Sequence, residues 1–365
     1  MNRSLKQFLK LLLNAVLFWS LALCLFIVIR YYALGDEEGI DNGAIAIQEW
    51  LKIGIVFGSI IGFFYTIVEF IFDRFLSKQL ALWLVILQKS TIYLIVLIWS
   101  TGYVFSLMKT QLDLNYIHEG NWWLTSRIFW VIVAYFVLAS LIFSFIKIAN
   151  ENFGNGTFIK LLLGTYRKPR EEQQIFMFLD LESSTSIAEQ LGHFTYSKLI
   201  QDCFYDLNRL LIRYNANVYQ YVGDEAVLQW PFKNGIKNKN CVNIFFAFEK
   251  RLQKRKKHYI ATYGLLPKFK AGLHGGKLIA TEVGTVKKEI AYHGDVINTT
   301  ARIQDQCNIF QESLLVSELL LRHLRLNKNF TTTSIGSISL KGKEADVSIF
   351  AVKKIINKNQ NNYYA

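Results

Sequence analysis

The chain has 365 residues, 52% hydrophobic and 15% aromatic, with 41 Lys/Arg against 28 Asp/Glu and a net charge of +13. This is too long for one small domain and too apolar for a disordered tail. The basic excess suits a polyphosphate ligand or an anionic membrane face, and with no recognition motif for nucleic acid in the chain, nucleic acid is excluded as the expected partner.

Four long apolar runs fill residues 1–150: Phe8–Ile29, Leu51–Phe72, Leu80–Leu107 and Trp123–Ile148. Each reaches the roughly 20 residues that a helix needs to cross a bilayer. The first is not a signal peptide, because no small-residue cleavage site follows it and three more runs do. Arg3, Lys6 and Lys10 precede the first run, Arg74 and Lys78 separate the second from the third, and Lys160, Arg167, Lys168 and Arg170 follow the fourth. The loop at 31–50 instead carries Asp36, Glu37, Glu38, Asp41 and Glu49. The positive-inside rule therefore places both termini in the cytoplasm and the chain in the cell's inner membrane as a multi-pass protein. Two ionisable residues fall inside runs. Lys89 is expected to snorkel and Glu69 to sit at the interface; the alternative is that they pair inside the bundle.

Residues 151–172 read as a junction, with Gly154 and Gly156 breaking any continuous helix from the fourth run. Beyond them lies a soluble α/β pattern, expected to span 173–354. Ile175–Leu179 is an apolar strand ending in Asp180. Ser183, Ser184 and Thr185 can cap a helix start and offer hydroxyls and N–H groups to phosphate. Thr195–Tyr214 has helical apolar spacing. Val218–Trp230 reads as a hairpin turning at Gly223-Asp224, which would set Asp224 beside Asp180 as a pair of carboxylates suited to a hard cation. Cys241–His258 is an amphipathic helix whose basic end (Arg251, Lys254, Arg255, Lys256, Lys257) is expected to be solvated. Strands are predicted at Lys268–His274 and Lys277–Val283, with a bend at His274-Gly275-Gly276. His274 is given no catalytic role. Gly294-Asp295 opens the helix Val296–Gln306, on which Asn298 and Arg302 stand one turn apart. A helix at Ser317–Leu326 and strands at Ser334–Leu340 and Val347–Val352 follow, and 355–365 is a polar tail expected to be disordered. The four cysteines are scattered and read as reduced thiols.

The motifs FLDLESST (178–185), QYVGDEAV (220–227), KAGLHGG (270–276), YHGDVINTTAR (292–302) and LKGK (340–343) together resemble the catalytic domain of class III nucleotidyl cyclases. GNGTF and LLGTYRKPREE within 154–172 extend the resemblance to membrane-anchored bacterial members. The resemblance implies an α-helical four-span membrane domain followed by an α+β ferredoxin-like βαββαβ palm. It implies that Asp180 and Asp224, with the Leu181 carbonyl, hold two divalent ions, Mg²⁺ or Mn²⁺. It also implies that Asn298 orients the ribose, Arg302 stabilises charge on the α-phosphate and Lys341 holds the terminal phosphates. Lys270 stands where some members carry a phosphate-binding Arg. The family's sites are shared across a dimer, so the implied partners are ATP or GTP, a second copy of the chain and the bilayer. Where adenylate cyclases usually read the base with Lys and Asp or Thr, this chain has Gln220 and Ala291, with Tyr221 and Tyr292 as neighbours that could substitute. A diguanylate cyclase fits less well, because its Gly-Gly-Asp-Glu-Phe hairpin is absent. A non-catalytic nucleotide-binding module is the rival from another class.

Overall fold

The computed structural model describes residues 3–33, 46–71, 84, 88, 91–100, 103, 127–153, 157–285, 288–326, 329–338 and 346–355. Lys89, Gly154, Gly156, Lys341, the acidic loop at 34–45, most of the third apolar run and the tail beyond 355 lie outside these residues. The chain divides into two compact units, Met1–Ile148 and Ala149–Ala365.

The first unit holds the helices α1 (Arg3–Ala33), α2 (Ile47–Ile71), α3 (Thr91–Ser100) and all but the last turn of α4 (Arg127–Phe153). Among the described residues two stretches, Leu11–Tyr32 and Ile47–Ile71, are long and apolar enough to cross a membrane. Close approach of α1 and α2 depends on Gly58 and Gly62, since a Cβ on either would lie 2.4 Å from the Ser20 Cα or 2.7 Å from the Val16 Cα. Inside, Trp19 stacks on Phe136 at 4.6 Å and Tyr65 on Tyr93 at 4.9 Å. Glu69 is enclosed by the helices. It is 4% exposed and accepts a hydrogen bond from the Tyr93 hydroxyl at 3.0 Å.

In the second unit, a short helix α5 (Thr157–Leu162) leads into β1 (Arg170–Leu181), α6 (Ser184–Leu211), β2 (Asn217–Val222) and β3 (Glu225–Pro231). Next come α7 (Phe232–Ile236), α8 (Asn240–Lys254), α9 (Lys256–Tyr263), β4 (Phe269–Val283) and β5 (Glu289–His293). The unit ends with α10 (Val296–Phe310), β6 (Leu314–Ser317), α11 (Glu318–Leu324), β7 (Phe330–Ile338) and β8 (Val347–Lys354). The strands form one sheet in the order β2-β3-β1-β4-β6-β8-β7, with β5 also on β4. Its first four strands, with α6 and α8, make the expected βαββαβ palm, in which β1 runs antiparallel to both β3 and β4.

Strand β1 is buried on both faces. Ile175, Met177, Leu179 and Leu181 pack against Leu199, Cys203, Leu207, Phe245 and Phe248 of α6 and α8. On the other face Phe176 joins Tyr166, Val227, Leu278, Ala280 and Val296. That second face is where α10 lies. It can lie there because Gly272 has no side chain: a Cβ would meet the Gln304 backbone nitrogen at 2.4 Å.

Several local readings change in the folded chain. The two strands expected around His274-Gly275-Gly276 are one continuous strand, since β4 pairs with β1 without interruption from Phe269 to Ala280. His274 is therefore a mid-strand residue, 5% exposed, with Nδ1 2.7 Å from the Ser317 hydroxyl. Helix α6 begins at Ser184, not Thr195, and absorbs a kink at Gly192. Ser183 precedes it in a left-handed conformation (φ 56) and makes no side-chain cap bond. The basic end of α8 is not simply solvated. Arg251 and Arg255 both clamp the fully buried Asp206, at 2.7 and 2.6 Å.

A half-buried acid on the same helix makes a testable contribution. Burial first, and then the nearby Glu182, push the Glu249 carboxyl from 4.5 up to about 7. The folded chain thus holds a proton that the unfolded chain releases, so this group removes stability as pH rises from 4.5 through 7. Glu249→Gln should raise the melting temperature of the full chain in detergent more at pH 8 than at pH 5. Equal shifts at both pH values would rule the linkage out.

Candidate active site

Asp180 is the penultimate residue of β1, opposite Lys270 of β4, and the neighbouring Leu179 pairs with Ala226 of β3. That register brings the β2–β3 turn alongside the end of β1. The turn is the expected two-residue Gly223-Asp224, with Gly223 at φ 61, a conformation that a side chain would strain. Asp180 and Asp224 therefore meet. Burial raises the Asp180 carboxyl above its usual range; Lys270 pulls it down and Asp224 pushes it further up. The next residue, Glu225, is pushed up to about 7 by burial and by the charges of Asp180, Asp224 and Asp305. Tyr196 of α6 completes this corner. Its hydroxyl interacts with Ser184 and Asp224, and burial followed by the Asp224 charge moves it up to about 12.

The donor set fits a hard divalent cation. One oxygen of Asp224, Oδ2, is buried without a hydrogen-bond partner, and the Asp224 charge pushes the Asp180 carboxyl up, a strain that bound positive charge would relieve. No three His, Cys, Asp or Glu side chains form a ready cage among the described residues. Two carboxylates completed by water and phosphate oxygens are a common arrangement for Mg²⁺. Leu181 buries its side chain in the core, leaving only its backbone for an ion.

The remaining expected site residues divide by location. Lys270 is 7% exposed and turned into the carboxylate cluster, with Nζ 3.1 Å from Asp180 Oδ2 and 2.9 Å from Asn308 Oδ1. Within this chain it is thus a partner of the Asp180 carboxylate. Ser184 and Thr185 open α6 beside this corner. Asn298 and Arg302 lie on α10, whose buried face is Val296, Thr299, Thr300, Ile303, Gln304 and Cys307. At 100° per residue both point away from that face. Within one chain it is Gln304, not Arg302, that reaches Asp180, with Nε2 3.1 Å from Oδ2.

Gln220 is exposed on β2 next to an irregularity in its pairing, and Ala291 pairs with Thr281 on β5. Their neighbours Tyr219 and Tyr292 touch at 5.4 Å above Phe176. Tyr221 stacks on Phe204 at 4.7 Å and donates to Asn208 at 2.6 Å. Both tyrosines named as alternative base readers are thus engaged within their own chain. Gln304, Asn308, Tyr196 and Glu225 were not foreseen. Only the one-turn spacing of 300, 304 and 308 could have pointed to the first two.

The profile described as Adenylate and Guanylate cyclase catalytic domain matches residues 166–354. The chain belongs to this cyclase family. Adenylate cyclase 2 of Rhizobium meliloti (strain 1021) is 32% identical over 208 residues, which cover 57% of this chain and 57% of that protein. An adenylate cyclase of Anabaena cylindrica is 23% identical over 184 residues, 48% of this chain and 36% of that one. The chain thus spans little more than half the length of the first relative and about a third of the second. In fold, the cyclase is similar to a bacterial light-regulated adenylyl cyclase, with a TM-score of 0.50 at 18% identity, covering 59% of this chain and 63% of that one.

Proposed function

We propose that the chain is a membrane-bound adenylate cyclase that converts ATP to 3′,5′-cyclic AMP and pyrophosphate at sites shared by two copies. The observation that carries the shared site is the division of α10: Gln304 faces its own chain's Asp180, while Asn298 and Arg302 face outward. A second chain docked head to tail would receive that outward pair, and the first chain would receive its counterpart.

Asp180, Asp224 and the Leu181 carbonyl would hold two divalent ions, Mg²⁺ or Mn²⁺. Bound there, the ions would lower the pKa of the ribose 3′-hydroxyl and brace the α-phosphate. Asn298 holds the ribose in line for attack, and the fixed guanidinium of Arg302 takes up charge developing on the α-phosphate oxygens. Lys341, beyond the end of β7, holds the terminal phosphates, and Ser184 and Thr185 add donors at the start of α6.

The bilayer is the proposed partner of residues 1–150, crossed four times, with 151–172 as junction and both termini cytoplasmic. The exposed face of α1 supports this. Leu5, Leu9, Leu13, Leu17, Leu21 and Leu25 recur every fourth residue, each at least 42% exposed, a stripe suited to lipid tails. The inward side holds Glu69, Tyr93 and Trp19.

The test is direct. The full chain in detergent, given Mg²⁺ or Mn²⁺ with ATP and separately GTP, should release cyclic AMP, identified by mass. Because Gln220 can donate or accept and Ala291 reads neither purine edge, the ATP preference in kcat/KM should stay below about 10⁴-fold, the scale of a dedicated polar reader. Nucleotide binding without cyclic product would favour a non-catalytic module instead.

A further inference from the structure

Helix α10 is used twice. Its outward residues belong to the proposed shared site, while the buried Gln304 and the exposed Asn308, one turn on, reach the carboxylate corner of their own chain. Gln304 is 4% exposed, and its backbone is locked against β4 by the close contact at Gly272. Its side chain therefore leaves the helix from a fixed point. Nε2 donates to Asp180 Oδ2 at 3.1 Å, and the same oxygen takes Lys270 Nζ at 3.1 Å. Lys270 is itself held from behind by Asn308 Oδ1 at 2.9 Å. Two donors thus converge on one carboxylate oxygen, Oδ2, and neither of them occupies Oδ1.

We infer that Gln304 is a positioning residue of the metal site: it pins Asp180 through Oδ2 so that Oδ1 is presented to the ion beside Asp224. This rests on the reading of Asp180 and Asp224 as metal ligands. The choice of an amide matters physically. A second ammonium on Oδ2 would fix the carboxylate equally well but would also cancel the negative charge that attracts a cation. A neutral amide donor holds the rotamer and leaves the charge, and supporting hydrogen bonds of this kind typically change metal affinity by about 10–100-fold. Lys270 exerts the opposite pull, so the pair sets how strongly the corner binds its ion.

The experiment is a Mn²⁺ titration of the full chain in detergent, followed by electron paramagnetic resonance of the free ion, without nucleotide. Gln304→Met keeps the length of the side chain and removes the donor. Its Mn²⁺ dissociation constant should rise about tenfold or more, with a metal-free melting temperature close to that of the wild type. Gln304→Leu provides a second donor-free variant if the methionine version does not fold. Asp180→Asn is the control for the underlying reading and should lose the site. If Asp180→Asn loses Mn²⁺ while the donor-free variants bind like wild type, the positioning role is overturned and the metal site stands. If Asp180→Asn binds like wild type, the metal site itself is overturned. A variant that melts earlier but binds Mn²⁺ unchanged assigns Gln304 to packing alone and also overturns the inference.

Discussion

Co-expression of Asp180→Ala and Arg302→Ala copies should restore about a quarter of wild-type activity, although each variant alone is inactive. Asp180→Ala removes a proposed metal carboxylate from both sites of a homodimer. Arg302→Ala removes charge stabilisation at the α-phosphate from both, a loss on the order of 10²–10³-fold for a single such donor. In a mixed dimer both lesions fall in one site, and the other combines an intact Asp180 with an intact Arg302. Random pairing makes roughly half of the dimers mixed, each with one working site of two. The geometry behind the expectation is the opposition of Gln304 and Arg302 on α10, which turns Arg302 away from its own Asp180. Activity would be measured as cyclic AMP formed by membranes from cells expressing both tagged copies. No recovery, with mixed dimers demonstrated by pull-down, would sink the shared site and favour one built within a single chain.

The second large effect concerns stability. Asp206 of α6 is fully buried and receives Arg251 Nε at 2.7 Å, Arg255 Nη1 at 2.6 Å and the Tyr259 hydroxyl at 2.9 Å. It ties α6 to α8 and α9 on the helical side of the palm. Asp206→Ala would leave two guanidinium groups and a buried hydroxyl facing a void. Breaking a buried ionic cluster from one side costs about 3–5 kcal/mol, and the partial exposure of both arginines argues for the lower end. A loss of about 3 kcal/mol corresponds to a fall of roughly 6–12 °C in melting temperature for a domain of this size. Thermal unfolding of the full chain in detergent would measure it. A shift within about 2 °C would mean that water replaces the carboxylate freely and that the cluster contributes little. Replacing the cluster with apolar residues of similar volume should recover much of the loss, since the charged cluster itself carries a desolvation cost.

Much of the site was legible in the sequence because it rests on short-range grammar. Gly223-Asp224 between two β-prone runs specifies a tight turn, and the unbroken apolar run 175–179 fits a strand buried on both faces. Together they predicted that Asp180 and Asp224 meet, and the register of β1 with β3 and β4 places them so. The helix around Asn298 and Arg302 was equally readable, since the pair's spacing by itself puts both residues on one face.

Other features existed only once distant segments had met. Periodicity showed that α10 has an apolar face, but only the absence of a side chain at Gly272 brings Gln304 within reach of Asp180. The basic end of α8 read as solvent-facing because its partner, Asp206, lies more than forty residues upstream. The partner of Glu69 was hidden for the same reason, since Tyr93 reaches it from a separate helix. The bend expected at Gly275-Gly276 disappeared because twelve consecutive pairings with β1 outweigh the local preference of two glycines for a turn. Strands β5 and β6, of five and four residues, are too short to show a period at all and form because β4 offers them an edge. Local sequence specified the turns, the faces and the chemical groups of this cyclase. Tertiary packing decided which group each one touches, because hydrogen bonds and ion pairs depend on distances that no local pattern encodes.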